Sequence, residues 1–325
     1  MRPSIVLDPE IVIANARAWR EYCAPAAFFP VVKADAYGWG ADRVVPLLDR
    51  YADAFCVSDI EELRSLRKVT DTPAIVLGAV AHNDLKNVLR ANALPTMQTL
   101  EDVRTGLAHG KVRLGVRPAV AWSGSTLEEL RVFARELAGA DVHVELWTHI
   151  TDLARMNEQV ALFEAARAML LDAGVRIART DVAGTFALTA GCRAGDAVRL
   201  GVGLFGATGG PQVAGVRCAL RVQAPVIKWE EVPAGSRIGY GGTAFETEER
   251  VATARCGYSD GIPKTLEGTD DIVSVGMQYL TIRGRAAGAN DSVAVIDHST
   301  NLDRFAAACG RLPHEIVTAL GNAAR

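Results

Sequence analysis

The sequence predicts an α/β fold, a (β/α)8 TIM-like barrel with a C-terminal β domain. Two observations carry that prediction. Between residue 28 and about residue 206, eight short apolar runs alternate with amphipathic segments of helical spacing. After about residue 210 the helical patterns give way to short β-like runs separated by turn residues. The expected division is a barrel domain over 1–210, whose N-terminal segment packs on the second domain, and a β domain over 211–325. A doubly wound open sheet is the alternative for the first part.

The expected barrel strands are 29–33, 54–58, 74–78, 94–99, 112–116, 142–147, 176–182 and 198–205. Helical patterns lie between them at 42–53, 61–69, 84–91, 100–109, 126–137 and 158–173, with Gly110, Ser125 and Gly174 at joints. Gly209-Gly210-Pro211 reads as a hinge. The later β-like runs are 213–224, 225–229, 236–239, 251–254, 272–275, 279–282 and 293–296. Pro233-Ala234-Gly235, Gly241-Gly242, Asp260-Gly261 and Gly288-Ala289-Asn290-Asp291 separate several of them. In a barrel, reactive side chains sit at the C-terminal ends of strands. Lys33, His149 and Arg199 fall there.

Composition narrows the class. A chain of 325 residues, 49% hydrophobic, has enough apolar material for a large core or two domains. A net charge of -3 and scattered basic residues argue against a nucleic-acid surface. No apolar stretch approaches the roughly 20 residues of a membrane span. The N-terminus lacks a signal-peptide hydrophobic region. The six cysteines include no C-x-x-C pair, so neither a zinc site nor a disulfide framework is expected. These readings favour a cytoplasmic protein that uses no metal.

Lys33 is the most informative candidate. It follows the apolar run Phe28-Phe29-Pro30-Val31-Val32 and precedes the turn Ala34-Asp35-Ala36-Tyr37-Gly38. An ammonium at the end of a buried strand is costly to leave there without a use. Position alone leaves two readings: a lysine that snorkels into solvent, or a nucleophile that forms a Schiff base with an aldehyde cofactor.

Other motifs join it. Val31–Gly40 resembles the cofactor-lysine motif of alanine racemases, enzymes of fold type III that use pyridoxal 5'-phosphate (PLP). Thr148-His149-Ile150, with Gln159 and Phe163, is similar to that family's histidine strand and following helix. The run 198–206 resembles its V-R-P-G-I-x-L-Y-G segment, and 238–243 its S-Y-G-x-T segment. The run 256–264 resembles G-Y-A-D-G-x-P-R. The resemblance spans nearly the whole chain in order, and the runs are specific only together.

The resemblance implies a function and a site. Lys33 would hold PLP covalently and then act as a base on one face of the substrate, with Tyr258 as the base on the other. Racemisation needs both, because a proton leaves one face and returns on the opposite one. In the family the tyrosine comes from the partner subunit, so a homodimer with shared sites is implied. Arg199 would face the pyridine nitrogen and, unable to give up a proton readily, leave it unprotonated. His149 would link the arginine and the tyrosine; as a residue it reads equally as a satisfied polar group. Tyr37 would sit at the cofactor or simply cap the barrel mouth. Gly201 would let backbone N–H approach the phosphate. Met277 would offer backbone to the substrate carboxylate or belong to the β-domain core. The implied activity is interconversion of L- and D-alanine or a related small amino acid. The rivals are a fold-type III decarboxylase or other α-carbon lyase, against which Arg199 argues, and a PLP-binding protein without turnover.

The chain also departs from the family pattern. Asp181-Val182-Ala183-Gly184-Thr185 stands for an N-S-A-G-type phosphate run, with Val182 in place of a serine and Asp181 as an added negative charge. The C-terminal tyrosine that meets the phosphate has no match in 320–325. Arg113 or Arg117 could replace a missing cofactor arginine, but both read better as solvated strand-end charges. Met277-Gln278 replaces a Met-Asp pair.

Overall fold

The structure, a computed structural model, describes residues 2–117, 124–239, 242–269, 271–284 and 292–325. Tyr240, Gly241 and the turn 288–291 lie outside the described residues. The first strand, β1 (Ser4–Leu7), precedes eight short strands: β2 (Ala27–Pro30), β3 (Phe55–Val57), β4 (Ala74–Val76), β5 (Ala93–Pro95), β6 (Lys111–Gly115), β7 (His143–Trp147), β8 (Ile177–Gly184) and β9 (Ala197–Leu200). All pairings among these eight are parallel. They run β2-β9-β8-β7-β6 and β3-β4-β5. Single parallel bridges, Val31 to Cys56 and Met97 to Leu114, join the two runs into a closed barrel. The strands β3, β4 and β5 are buried at every position, as parallel strands covered by helices must be.

The intervening helices follow local rules. Leu100–Ala108 starts on a Thr99/Asp102 capping box and Leu127–Leu137 on a Thr126/Glu129 one. The second helix buries Leu130, Phe133, Ala134 and Leu137, a single face at helical spacing.

The remaining strands are β10 (Leu220–Val232), β11 (Arg237–Ile238), β12 (Thr243–Ala244), β13 (Glu249–Ala254), β14 (Ile272–Val275), β15 (Leu280–Arg283) and β16 (Ser292–Ile296). Their main sheet runs β1-β10-β13-β15-β14, with β16 also on β10. The N-terminal strand therefore lies in the C-terminal sheet, Ser4 opposite Gln223 and Leu7 opposite Leu220. The helix after it, Pro9–Cys23, returns to the barrel, where Trp19 Nε1 donates to the Gly203 carbonyl at 2.8 Å.

Two expectations need correction. The expected runs 213–224 and 225–229 are not two strands: 213–219 is not strand, and Leu220–Val232 runs on through Pro225, where register shifts on either side absorb a residue that reads as a breaker. The β domain also carries two helices that the sequence reading missed, Leu302–Ala308 and Pro313–Ala323. Their signals were present: an Asn301 cap, and Pro313 ahead of Ile316, Val317 and Leu320.

Candidate active site

The chain after β2 makes an unusual turn. Ala34, Asp35, Ala36 and Tyr37 all adopt left-handed backbone, with φ of 52, 51, 52 and 57°. Each such residue costs about 1–2 kcal/mol, so surrounding contacts must hold the turn. The Ala34 N–H donates to one Glu62 carboxylate oxygen at 2.6 Å, and the Ser58 N–H donates to the other at 2.8 Å. The Ala41 N–H donates to Asp35 Oδ1 at 2.7 Å. Trp39 Nε1 donates to the Val317 carbonyl at 3.2 Å, which docks the C-terminal helix against the turn. Gly321 is needed there, since a Cβ would lie 2.4 Å from the Tyr37 carbonyl oxygen. The result presents Lys33 outward and Tyr37 inward.

Lys33 opens onto a cavity of about 210 Å³ at the C-terminal ends of the strands. Tyr37, His149, Arg199 and Gly201 line it too, so the structure brings together five of the seven residues singled out in the sequence. The space beside Gly201 is filled from within: a Cβ there would sit 2.0 Å from the Tyr37 hydroxyl. Burial pushes the Tyr37 phenol well above its usual range, so it stays protonated. Burial, then the charges of Arg199, Lys33 and His314, pull His149 down to about 4, so it is neutral at neutral pH. Among the described residues no hydrogen bond joins His149 to Arg199.

Two wall residues, Trp147 and His314, stand outside the motif runs, while Thr185 belongs to the run 181–185 that stands for the phosphate segment. Trp147 and His314 each bring a buried nitrogen, Nε1 and Nδ1, with no hydrogen-bond partner among the described residues. Thr185 brings a hydroxyl, whereas Val182 is wholly buried in the core. These groups fit a polar ligand: an amine, a guanidinium and a hydroxyl line a small cavity with aromatic and aliphatic walls, and two ring nitrogens of its wall residues lie buried without a partner among the described residues. His314 had a signal in its place on the periodic C-terminal helix.

Below the cavity lies a buried charge network. Arg113 on β6, Glu145 on β7, Asp181 on β8 and Arg199 on β9 are all essentially inaccessible. This corrects Arg113, which is not a solvated strand-end charge: alternation along β6 turns it into the barrel. Arg117 remains partly exposed and donates to the Gly124 carbonyl. Asp181 is also corrected. It does not burden an anion site but pairs with Arg199 by direct contact and with Arg113 at 2.7 Å. Arg113 reaches Glu145 at 2.8 Å, and Arg179 and His143 meet Glu145 from outside. Burial alone would raise the Glu145 carboxyl, but His143, Arg113 and Arg179 outweigh it and bring it down to about 2. Arg199 also donates to the Thr148 carbonyl at 2.6 Å.

Tyr258 and Met277 are not with Lys33. They lie side by side on the β domain, 43% and 57% exposed. The Tyr258 N–H donates to the Gly276 carbonyl at 3.1 Å, and both the N–H and the hydroxyl of Ser259 donate to the Met277 carbonyl. Gly257 permits this approach, since a Cβ would lie 2.4 Å from the carbonyl oxygens of Gly276 and Met277. Met277 is thus not β-domain core.

Comparison with known proteins covers the whole of this arrangement. The family model described as alanine racemase, N-terminal domain, matches residues 7–209, and that of the C-terminal domain matches residues 219–325. An alanine racemase of Jannaschia sp. is 30% identical, over 98% of this chain and 96% of the relative. The biosynthetic alanine racemase of Pseudomonas aeruginosa superposes with a TM-score of 0.84 at 26% identity, over 98% of this chain and 97% of that one. The alanine racemase of Bartonella henselae, solved with covalently bound pyridoxal phosphate, superposes with a TM-score of 0.82 at 20% identity, over 99% and 98%. With both halves matched in order and one continuous fold shared, the chain belongs to the alanine racemase family.

Proposed function

We propose that the protein is a PLP-dependent alanine racemase that works as a homodimer in the cytoplasm. The observation that carries this reading is the convergence of Lys33 and Arg199, from the first and last barrel strands, on one cavity in a chain that matches the family along both halves. When bound, the cofactor supplies an electron sink that acidifies the substrate Cα–H. Lys33 would hold it covalently and would afterwards carry a proton to or from one face of the substrate. Arg199 would meet the ring nitrogen as a hydrogen-bond donor that does not readily yield its proton, which would keep the sink weak and favour prompt reprotonation over side reactions. The Thr185 hydroxyl, the Tyr37 phenol and the main chain at Gly201 supply the phosphate end.

Tyr258 is the second base, and the racemase needs it on the face opposite Lys33. Its place on an exposed patch beside Met277 suits delivery into a second subunit's cavity. Met277 meets the substrate carboxylate there through its main chain. The six unpaired cysteines suit a reducing compartment, and among the described residues no helix is long and apolar enough to cross a membrane.

The test is direct. Protein purified with PLP should show the absorption band of the bound cofactor. It should convert either enantiomer of alanine to a racemic mixture, with deuterium incorporated at Cα in heavy water. Absence of bound PLP defeats the cofactor assignment. Carbon dioxide release without Cα exchange in recovered substrate would point to the decarboxylase instead.

A further inference from the structure

The carboxylate of Asp181 is the feature that the proposed reaction does not explain. It lies wholly buried between two guanidiniums, in contact with Arg199 on one side and 2.7 Å from Arg113 on the other. A second Arg113 nitrogen donates to it at 3.1 Å. Arg199 has no other anion in contact among the described residues; its remaining partners are the carbonyls of Thr148, Asp181 and Val182. Both guanidiniums also lie over the Trp147 ring, at 5.1 Å for Arg199 and 5.3 Å for Arg113. Trp147 walls the cavity. A buried cation held so completely has one orientation, and its field is largely cancelled by the carboxylate behind it.

We propose that Asp181 is a positioning residue for the reaction: together with the Thr148 carbonyl it fixes the Arg199 guanidinium at the cavity wall and offsets its charge. Arg199 then meets the cofactor as an oriented hydrogen-bond donor and not as a free cation. The proposal rests on the PLP reading above.

Without Asp181 the two guanidiniums would share a dry pocket with Glu145 alone, which already serves Arg113, Arg179 and His143. Like charges at that depth repel strongly. Arg199 is the member that can relieve the repulsion, because it borders open space and Arg113 does not. It would shift toward the cavity and change the ground that the cofactor ring meets. Burial and the neighbouring Arg113 already pull Arg199 down, to about 9, so its tolerance for further positive charge is small.

The experiment uses apoprotein titrated with PLP, followed by absorption, together with steady-state racemisation. Asp181→Asn keeps the shape and removes the charge. It should weaken PLP binding about tenfold or more, move the absorption maximum of the bound cofactor, and lower kcat with little change in KM for alanine. Asp181→Asn alone is prone to unfolding, so the double variant Asp181→Asn/Arg113→Gln restores the charge balance of the pocket. If Asp181 positions Arg199, the double variant regains thermal stability yet still binds PLP weakly with a displaced absorption maximum. If the double variant binds PLP with wild-type affinity and spectrum, Asp181 only neutralises Arg113 and the proposal is overturned. The same holds if Asp181→Asn alone matches wild type in all three readouts. A wild-type protein that takes up no PLP defeats the cofactor reading, and this inference with it.

Discussion

Lys33, Arg199 and His149 share a cavity walled by one chain, whereas Tyr258 and Met277 share an outer face of the β domain. The two regions are stabilised differently. At the barrel mouth, each functional side chain is backed by a partner from the chain itself: buried Asp181 behind Arg199, buried Phe205 at 5.4 Å from the Tyr37 ring, and the half-buried Glu62 under the Lys33 turn. On the β domain, main-chain hydrogen bonds set the backbone around Tyr258 and Met277, but the side chains themselves stand open to water. A base left in water is poorly placed for proton transfer at a substrate carbon. On the proposed reading, the first region is finished by folding and the second by association.

The largest expected effect breaks the comparison at its centre. Lys33→Ala should abolish covalent PLP attachment and racemisation. Tyr258→Phe should keep bound PLP and lose on the order of a hundred- to ten-thousandfold in activity. Mixing the two inactive variants, with subunits allowed to exchange, then decides where the second base acts. If sites are shared, half of a random population is mixed dimers, each with one intact site, so about a quarter of wild-type activity should return. No recovery from exchanged dimers would put both bases in the same chain, and the contrast drawn between the two regions would fail.

A middle-sized effect probes how tightly the barrel mouth is finished. Gly201→Ala sets a methyl 2.0 Å from the Tyr37 hydroxyl. Tyr37 is confined by Phe205 and His314, so it cannot swing aside freely. The variant should lose about 1–3 kcal/mol of stability, the usual toll of overpacking, read as a lower denaturant midpoint. Adding Tyr37→Phe, which removes the clashing oxygen, should recover part of it. A Gly201→Ala protein as stable as wild type would mean that the mouth is looser than its packing implies.

The same contrast governs what could be read from the sequence. The eight alternating segments were legible because parallel strands and amphipathic helices carry opposite periodicities, and Lys33, Tyr37, His149, Arg199 and Gly201 follow from motif runs at strand ends. Trp147 was not legible as a cavity residue, and His314 only as a place on a helix, because both reach the cavity by tertiary docking and belong to none of the family motif runs. Arg113 and Asp181 misled for a related reason. Each is a charge near a strand end in sequence, and only closure of the barrel reveals that both point inward at the same height. Contact inside the barrel between β6 and β8, the two strands that flank β7, turns two apparent liabilities into one ion pair, and no local pattern reports that.

The smallest effect concerns the left-handed turn itself. Arg325 forms an ion pair with Asp35, and its Nε donates to the Gly38 carbonyl at 2.8 Å. Both side chains are about half exposed, at 48% and 49%. Pairs in that setting contribute about 0–1 kcal/mol, while four left-handed residues demand several times as much. Arg325 therefore cannot be what holds the turn. Main-chain anchoring must do so: Glu62, which accepts from the Ala34 and Ser58 N–H groups, Trp39 on the C-terminal helix, and the close approach at Gly321. Arg325→Ala should lose less than about 1 kcal/mol and bind PLP nearly as wild type does, whereas Glu62→Gln should slow PLP uptake by apoprotein measurably. If Arg325→Ala instead lost the cofactor, the turn would depend on a surface contact, and the barrel mouth would resemble the exposed Tyr258 face more than its interior.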